Sequence, residues 1–232
     1  MLVHVPHSSL YIPDDSVLHR TLDAEHLTMH TDLYTDLLFN PDNKNIDFQV
    51  FKYSRFYCDV ERLDTDELEK LGCGKFYEKV PNTDIKIRDK AIDSEEYSNV
   101  LKLYFDWHVN LYERCVREFR THGECVLVDA HSFSHKQVDY NDNQLPDICI
   151  GVNSDTQKWL IEETCELFAR KGYSVEIDFP FANAKQVTHK NLSTNSIMIE
   201  VNKRLYLDDD SMNVDGFKKL HNTINTLYSL IM

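Results

Sequence analysis

Short apolar runs alternate with segments of helical spacing from one end of the chain to the other. Residues 2–5 read as a first strand, stopped by Pro6, which has no N–H to donate to a ladder. Residues 23–38 have helical spacing through Leu27, Leu33, Leu37 and Leu38, and 47–53 alternate as a strand. Residues 63–93 are polar and read as an excursion or lid, too short to bury a core of its own. The strongest helical pattern runs over 95–119 and is ended by Gly123. Residues 125–128 are four apolar residues in a row, enough to cover both faces of a buried strand. Further strands are expected over 146–152, 173–177 and 196–202, and helices over 156–170 and 215–230. An irregular crossing that includes His189 begins at Phe179-Pro180-Phe181. Strands alternating with helices predict a single α/β domain, with helices on both faces of a mixed sheet.

Composition narrows the partners. The 232 residues carry a formal net charge of -14. A nucleic-acid backbone or an anionic membrane surface needs a basic face, so neither is expected. A hydrophobic content of 42% supports a packed core. The six cysteines include no C-x-x-C pair and read as buried thiols of a reducing compartment. The N-terminus has no leader pattern, and no run of about 18 apolar residues would cross a bilayer, so a cytoplasmic protein is expected. No phosphate-cradling glycine loop is present.

The chemistry gathers at strand ends. The apolar run at 125–128 changes abruptly to Asp129, His131, Ser132, Ser134 and His135, and such ends are where open α/β sheets place ligands. His7 follows the first strand, and Glu200 sits inside an apolar run. Two histidines and a carboxylate would satisfy a catalytic zinc site, which keeps one position open for water. Glu200 reads either as a general base whose pKa desolvation raises, or as an edge residue pairing with Lys203 or Arg204. Arg55 and Arg62 read either as a clamp for an anionic substrate or as partners of Asp59 and Glu61. His4 and His108 read as structural histidines.

Five segments, in order, resemble the N-formylglutamate amidohydrolase family. Val5-Pro-His-Ser-Ser9 with Ile12-Pro13 is similar to its "PHSG…IP" opening, and Thr31-Asp32-Leu-Tyr34 to its "TD" helix start. Arg55 through Asp59-Val-Glu-Arg62 resembles "R…D-L-N-R", Asp129-Ala-His131-Ser132 resembles "D-x-H-S", and Ile199-Glu200-Val-Asn-Lys203 resembles "lEiNR". The resemblance implies a single-domain, zinc-dependent hydrolase related to carboxypeptidase A-like enzymes. Its fold would be a three-layer α/β/α sandwich around a mixed, mostly parallel sheet, of phosphorylase/hydrolase type. It further implies one zinc ion held by His7, His131 and Asp32, with Glu200 as general base. Arg55 and Arg62 would bind a substrate carboxylate, Asp59 would orient them, and Ser132 and Asn202 would complete the substrate-binding set. Ser9 stands where the family has glycine, Glu61 where it has asparagine, and Lys203 where it has arginine. These departures widen the expected substrate from N-formylglutamate to another N-acyl amino acid or small amide. A metallopeptidase acting on a peptide or cell-wall fragment, and a non-catalytic binding protein on the same scaffold, are the alternatives.

Overall fold

In a computed structural model, residues 1–63, 67–189 and 192–232 are described. In chain order the strands are β1 (Leu2–Val5), β2 (Asp47–Val50), β3 (Val126–Phe133), β4 (Ile148–Gly151), β5 (Val175–Ile177), β6 (Thr188–His189), β7 (Leu192–Ser193), β8 (Asn195–Asn202), β9 (Leu207–Asp208) and β10 (Ser211–Met212). The helices are α1 (Leu18–Thr21), α2 (Ala24–His30), α3 (Thr35–Leu38), α4 (Glu67–Lys70), α5 (Ser94–His122), α6 (Lys158–Arg170) and α7 (Val214–Ile231). The chain resolves into two compact units. One, the sheet unit, comprises Met1–Val5, Asp32–Val50 and Tyr112–Met232; the other comprises Pro6–Thr31 and Phe51–Leu111.

The sheet unit is built on six strands in the order β2-β1-β3-β8-β4-β5. Neighbours run parallel except β4 against β8, so the sheet is mixed and mostly parallel. Side chains alternate across a strand and register partners share a face. One face therefore collects Val3, Val5, Val126, Val128, Ala130, Ile148, Ile150, Ile197, Ile199 and Val201. All are buried in one cluster with Leu160, Leu167 and Phe168 of α6 and Leu220, Ile224 and Leu227 of α7. The opposite face carries Gln49, His4, Asp129, His131, Glu200 and Cys149. At its lower edge the last turns of α5 set Cys115 against Cys125. This is the α/β class expected, and the hydrophobic face is what holds the polar face flat and in register.

Three elements depart from the sequence reading. The helix expected over 23–38 is two helices, α2 and α3, separated by Thr31 to Tyr34. Tyr34 takes a left-handed conformation (φ 62°), which ends helical propagation. The break leaves the Asp32 carbonyl to accept from Thr35 N at 3.2 Å and Thr35 Oγ1 at 2.7 Å. The second departure is β3, which continues through His131 to Phe133 with all eight residues buried. The polar run belongs to the strand because β8 pairs with it residue by residue as far as Phe133↔Asn202. The strand expected over 47–53 ends earlier, at Val50.

The second unit has little regular structure and is organised around an aromatic cluster that includes Phe51, Phe56, Tyr57, Phe76, Tyr77 and Tyr104. The 63–93 segment contributes Cys73, Phe76, Tyr77, Val80 and Ile87 to that cluster, so it is part of a larger core. Its residues 64–66, and residues 190–191 of the later irregular crossing, lie outside the described residues, as does the side chain of His189. Irregular backbone buried against aromatics needs donors for its carbonyls. Arg88, fully buried, supplies them: it donates to the Phe56, Tyr57 and Tyr77 carbonyls and to Glu96 Oε1 at 2.7 Å. Glu96 in turn accepts from Ser16 Oγ at 2.9 Å and Val17 N at 3.3 Å. Among the described residues no helix is long and apolar enough to cross a membrane.

Arg88→Leu keeps the volume but strands Glu96 and three carbonyls. The expected loss is about 3–5 kcal/mol of stability, the usual result of removing one partner of a buried ion pair. The shift of the urea midpoint at unchanged m-value measures it.

Candidate active site

Asp129 and His131 lie two residues apart on β3 and so share the polar face. Register sets His4 of β1 beside Asp129 and Glu200 of β8 beside His131. The Asp129 carboxylate is buried and fully used. Its Oδ1 accepts from His4 Nδ1 at 3.0 Å and His131 Nε2 at 3.2 Å, and its Oδ2 from Lys185 N at 3.2 Å. Burial alone would raise its pKa, but the two imidazoles outweigh it and hold Asp129 below the usual carboxylate range. His4 is thereby a structural histidine with its partner. The other nitrogen of His131, Nδ1, lies 3.2 Å from Asp32 Oδ2. Burial opposes charge on that ring, yet Asp129, Asp32 and Glu200 raise its pKa well above the ordinary histidine value.

Asp32 owes its place to the helix break. Leu33 enters the apolar cluster of the sheet unit, and the Leu33 carbonyl accepts from the buried Tyr206 hydroxyl at 2.9 Å. Asp32 itself is 1% exposed. Glu200 is 7% exposed and stands between His131 and Cys149 in the register of three adjacent strands. Ser132 lies on the alternate face of β3, with Val128 and Ala130, and so points away from His131. Asn202 caps the turn after β8: its Oδ1 accepts from Arg204 N and its Nδ2 donates to the Pro146 carbonyl, both at 3.2 Å.

The second unit repeats the aspartate-to-histidine arrangement. His7 Nε2 donates to Asp59 Oδ1 at 2.8 Å, and Asp59 is 0% exposed. Glu61 N adds a hydrogen bond to the same oxygen at 3.0 Å. On Oδ2, Arg55 Nη2 and Tyr77 Oη each donate at 3.0 Å, with Arg62 Nε at 3.4 Å. Arg62 also donates to the Cys73 carbonyl at 3.1 Å and to Tyr77 Oη at 2.9 Å. Burial pushes the Asp59 carboxyl up, but His7, Arg62 and Arg55 together hold it well below the usual range. Both arginines are thus paired with Asp59 inside the unit, in a buried network rather than as exposed ion pairs.

Each half therefore contains an imidazole fixed through Nε2 by a buried aspartate. Metal-ligating histidines are held this way, the carboxylate setting the tautomer and the ring's orientation. In the sheet unit Nδ1 of His131 and Oδ2 of Asp32 form a histidine–carboxylate donor pair of the kind zinc takes. Asp129, which the sequence marks as a strand-end polar residue, holds His131. Tyr77 and Tyr206 carry no local signal in the sequence, because their hydroxyls act on residues distant in the chain.

The family model for N-formylglutamate amidohydrolase matches residues 1–207, which include His7, Asp32, Asp59, Asp129, His131 and Glu200. A search of curated proteins gave no significant match. Among solved structures, the crystal structure of N-formylglutamate amidohydrolase from Ralstonia eutropha JMP134 is similar with a TM-score of 0.80 at 20% identity, over 99% of this chain and 91% of that one. A gene product of Agrobacterium tumefaciens is similar with a TM-score of 0.66 at 18% identity, over 100% and 90%. At such identities the structures speak to the shared fold. The family match covers both strand-borne histidine segments and the Glu200 strand, and by it the chain belongs to the N-formylglutamate amidohydrolase family.

Proposed function

We propose that the chain is a zinc-dependent amidohydrolase. It cleaves the linear amide of an N-formyl or other N-acyl amino acid, of which N-formylglutamate is the family's namesake. His7, Asp32 and His131 would hold the ion. The observation that carries this reading is the matched pair of dyads, His7 on Asp59 and His131 on Asp129, each holding an imidazole through Nε2, with Asp32 Oδ2 3.2 Å from His131 Nδ1. The donor set also fits by charge. Asp32, Asp129 and Glu200 bring three carboxylates around His131, more than neutral imidazoles balance, and a divalent cation suits that excess.

Bound zinc would supply a Lewis acid that polarises the acyl oxygen and lowers the pKa of water. The other roles fall to the chain's own side chains. Glu200 takes a proton from the attacking water as its oxygen bonds to the acyl carbon. It returns that proton to the amide nitrogen as the C–N bond breaks, releasing a carboxylic acid and a free amino acid. Asp59 fixes Arg55 through Nη2, which presents the guanidinium to the substrate carboxylate, and Arg62 braces the same aspartate from its other side. Asp59 thereby ties substrate position to the His7 ring.

Chelation is expected to abolish turnover of N-formyl- and N-acetyl-amino acids, and zinc to restore it. Equal turnover after complete metal removal, checked by elemental analysis, would reject the mechanism. Glu200→Gln should retain the metal and lose roughly 100-fold or more in kcat. Asp129→Asn and Asp59→Asn leave the ligand set intact but release a ring, so each should weaken zinc about 10–100-fold in a competition titration with a chromophoric chelator. Unchanged affinity in both variants would show that the dyads do not serve the ion.

A further inference from the structure

Beside Glu200 the sheet unit carries an apolar corner that the chemistry above does not use. Cys149 of β4 lies opposite Glu200 in the register, and Phe133 follows His131 by two residues on the same face of β3. Phe133 and Cys149 are fully buried, and with Leu145 they form a cluster separate from the main core. Phe179 and Phe181 pack on this cluster but are only partly buried themselves. Phe181 meets Phe133 edge-on at 5.9 Å, and the half-exposed Tyr140 meets Phe179 at 5.1 Å.

The segment that brings these rings here is held at both ends. Asp178 N donates to the Ile150 carbonyl at 2.9 Å. The Asp178 carboxylate accepts from Val152 N at 3.1 Å and Asn183 N at 3.3 Å, closing the segment on itself. Asp178 and Asn183 both take left-handed conformations (φ 54° and 72°), a strain that surrounding contacts must hold in place. Gly151 permits the close approach, since a Cβ there would lie 2.3 Å from the Asn183 carbonyl oxygen. In the middle Cys149 Sγ donates to the Phe181 carbonyl at 3.1 Å. Two aromatic rings are thus preorganised next to the strand position of the proposed base, where an apolar group gains most from a rigid surface.

We infer that residues 178–183 form a specificity loop, in which Phe179 and Phe181 over Phe133 receive an apolar substituent next to the scissile amide. The inference rests on the amidohydrolase reading above and deepens it: the preferred substrate is an N-acyl amino acid with one carboxylate and an apolar group. The apolar group comes either from the amino-acid side chain or from the acyl chain, and the experiment separates the two.

The test measures kcat/KM of the zinc-loaded full chain on two series. The first compares N-formylleucine, N-formylmethionine and N-formylphenylalanine with N-formylglutamate and N-formylaspartate. The second compares N-hexanoylglycine with N-formylglycine. The expected result is a gain of roughly tenfold or more for the apolar members of one series, which also locates the group. Phe181→Ala should bring that gain to within about threefold of unity, as the lost ring area implies. A preference for the acidic substrates with no gain in the second series would overturn the inference and leave the amidohydrolase reading standing, as would a gain that survives both Phe181→Ala and Phe179→Ala. Absence of turnover on every substrate would overturn the amidohydrolase reading and this inference with it. The unsubstituted protein's ratios decide the matter even where a variant fails to fold.

Discussion

Two buried carboxylates govern the arrangement of everything around them. Asp59 and Asp129 are 0% and 1% exposed, and an ionised carboxylate so placed is tolerable only when its lone pairs are filled by donors of opposite charge. The two are satisfied differently. Asp129 is met by imidazoles and a backbone N–H, Asp59 by two guanidinium groups, a phenol, a backbone N–H and one imidazole. His7 and His131 are both held by Nε2, while His4 is held by Nδ1. The carboxylate's need for a donor decides which ring nitrogen faces outward, so the same interaction that satisfies a buried charge sets the direction in which the ring can bind.

That arrangement is possible because the sheet divides its labour by face. On β3 and β8 every residue is buried, yet Asp129, His131 and Glu200 all fall on one set of alternate positions. Val126, Val128, Ala130, Ile197, Ile199 and Val201 anchor the strands against α6 and α7. Asp129, His131 and Glu200 are carried on the other side with no freedom to slide, because a one-residue slip would bury the charges in the apolar cluster. Precision at the polar face is inherited from packing on the apolar one. The loop at 178–183 extends the same logic, since its aromatic rings are placed by a glycine on β4 and by an aspartate bonded to the residue after β4.

Much of this was legible in the chain, for identifiable reasons. Strands β1, β4, β5 and β8 and the long helix α5 announce themselves by period and by Pro6 and Gly123, which are local signals. His7, His131 and Glu200 stood out as polar groups beside or within apolar runs. The break at Tyr34 was not legible, because a left-handed tyrosine has no favourable local propensity and is held there by tertiary contacts of Leu33 and Tyr206. Nor was the continuation of β3 through His131, since a strand of polar residues persists only where β8 and its partners supply what those residues lack. The division into two units was also hidden. The 6–31 and 51–111 segments share a core built from aromatics far apart in the chain and a buried arginine whose partners are mostly carbonyls.

On the proposed reading, a chain of formal net charge -14 would have to receive an anion. Surface charge acts through solvent and is screened beyond about 8 Å at physiological ionic strength, and much of it here is already balanced by exposed pairs such as Lys86–Asp89 and Lys158–Glu162. What a small carboxylate meets at close range is different in sign. Arg55 and Arg62 bring two positive charges to the one carboxylate of Asp59. Being only partly exposed and braced by Asp59, the guanidinium groups are screened less and reorganise less than surface lysines would. The sheet unit has the opposite excess, with three carboxylates around His131. On the proposed amidohydrolase reading, a negative cluster of this kind would suit a cation and a positive one a carboxylate.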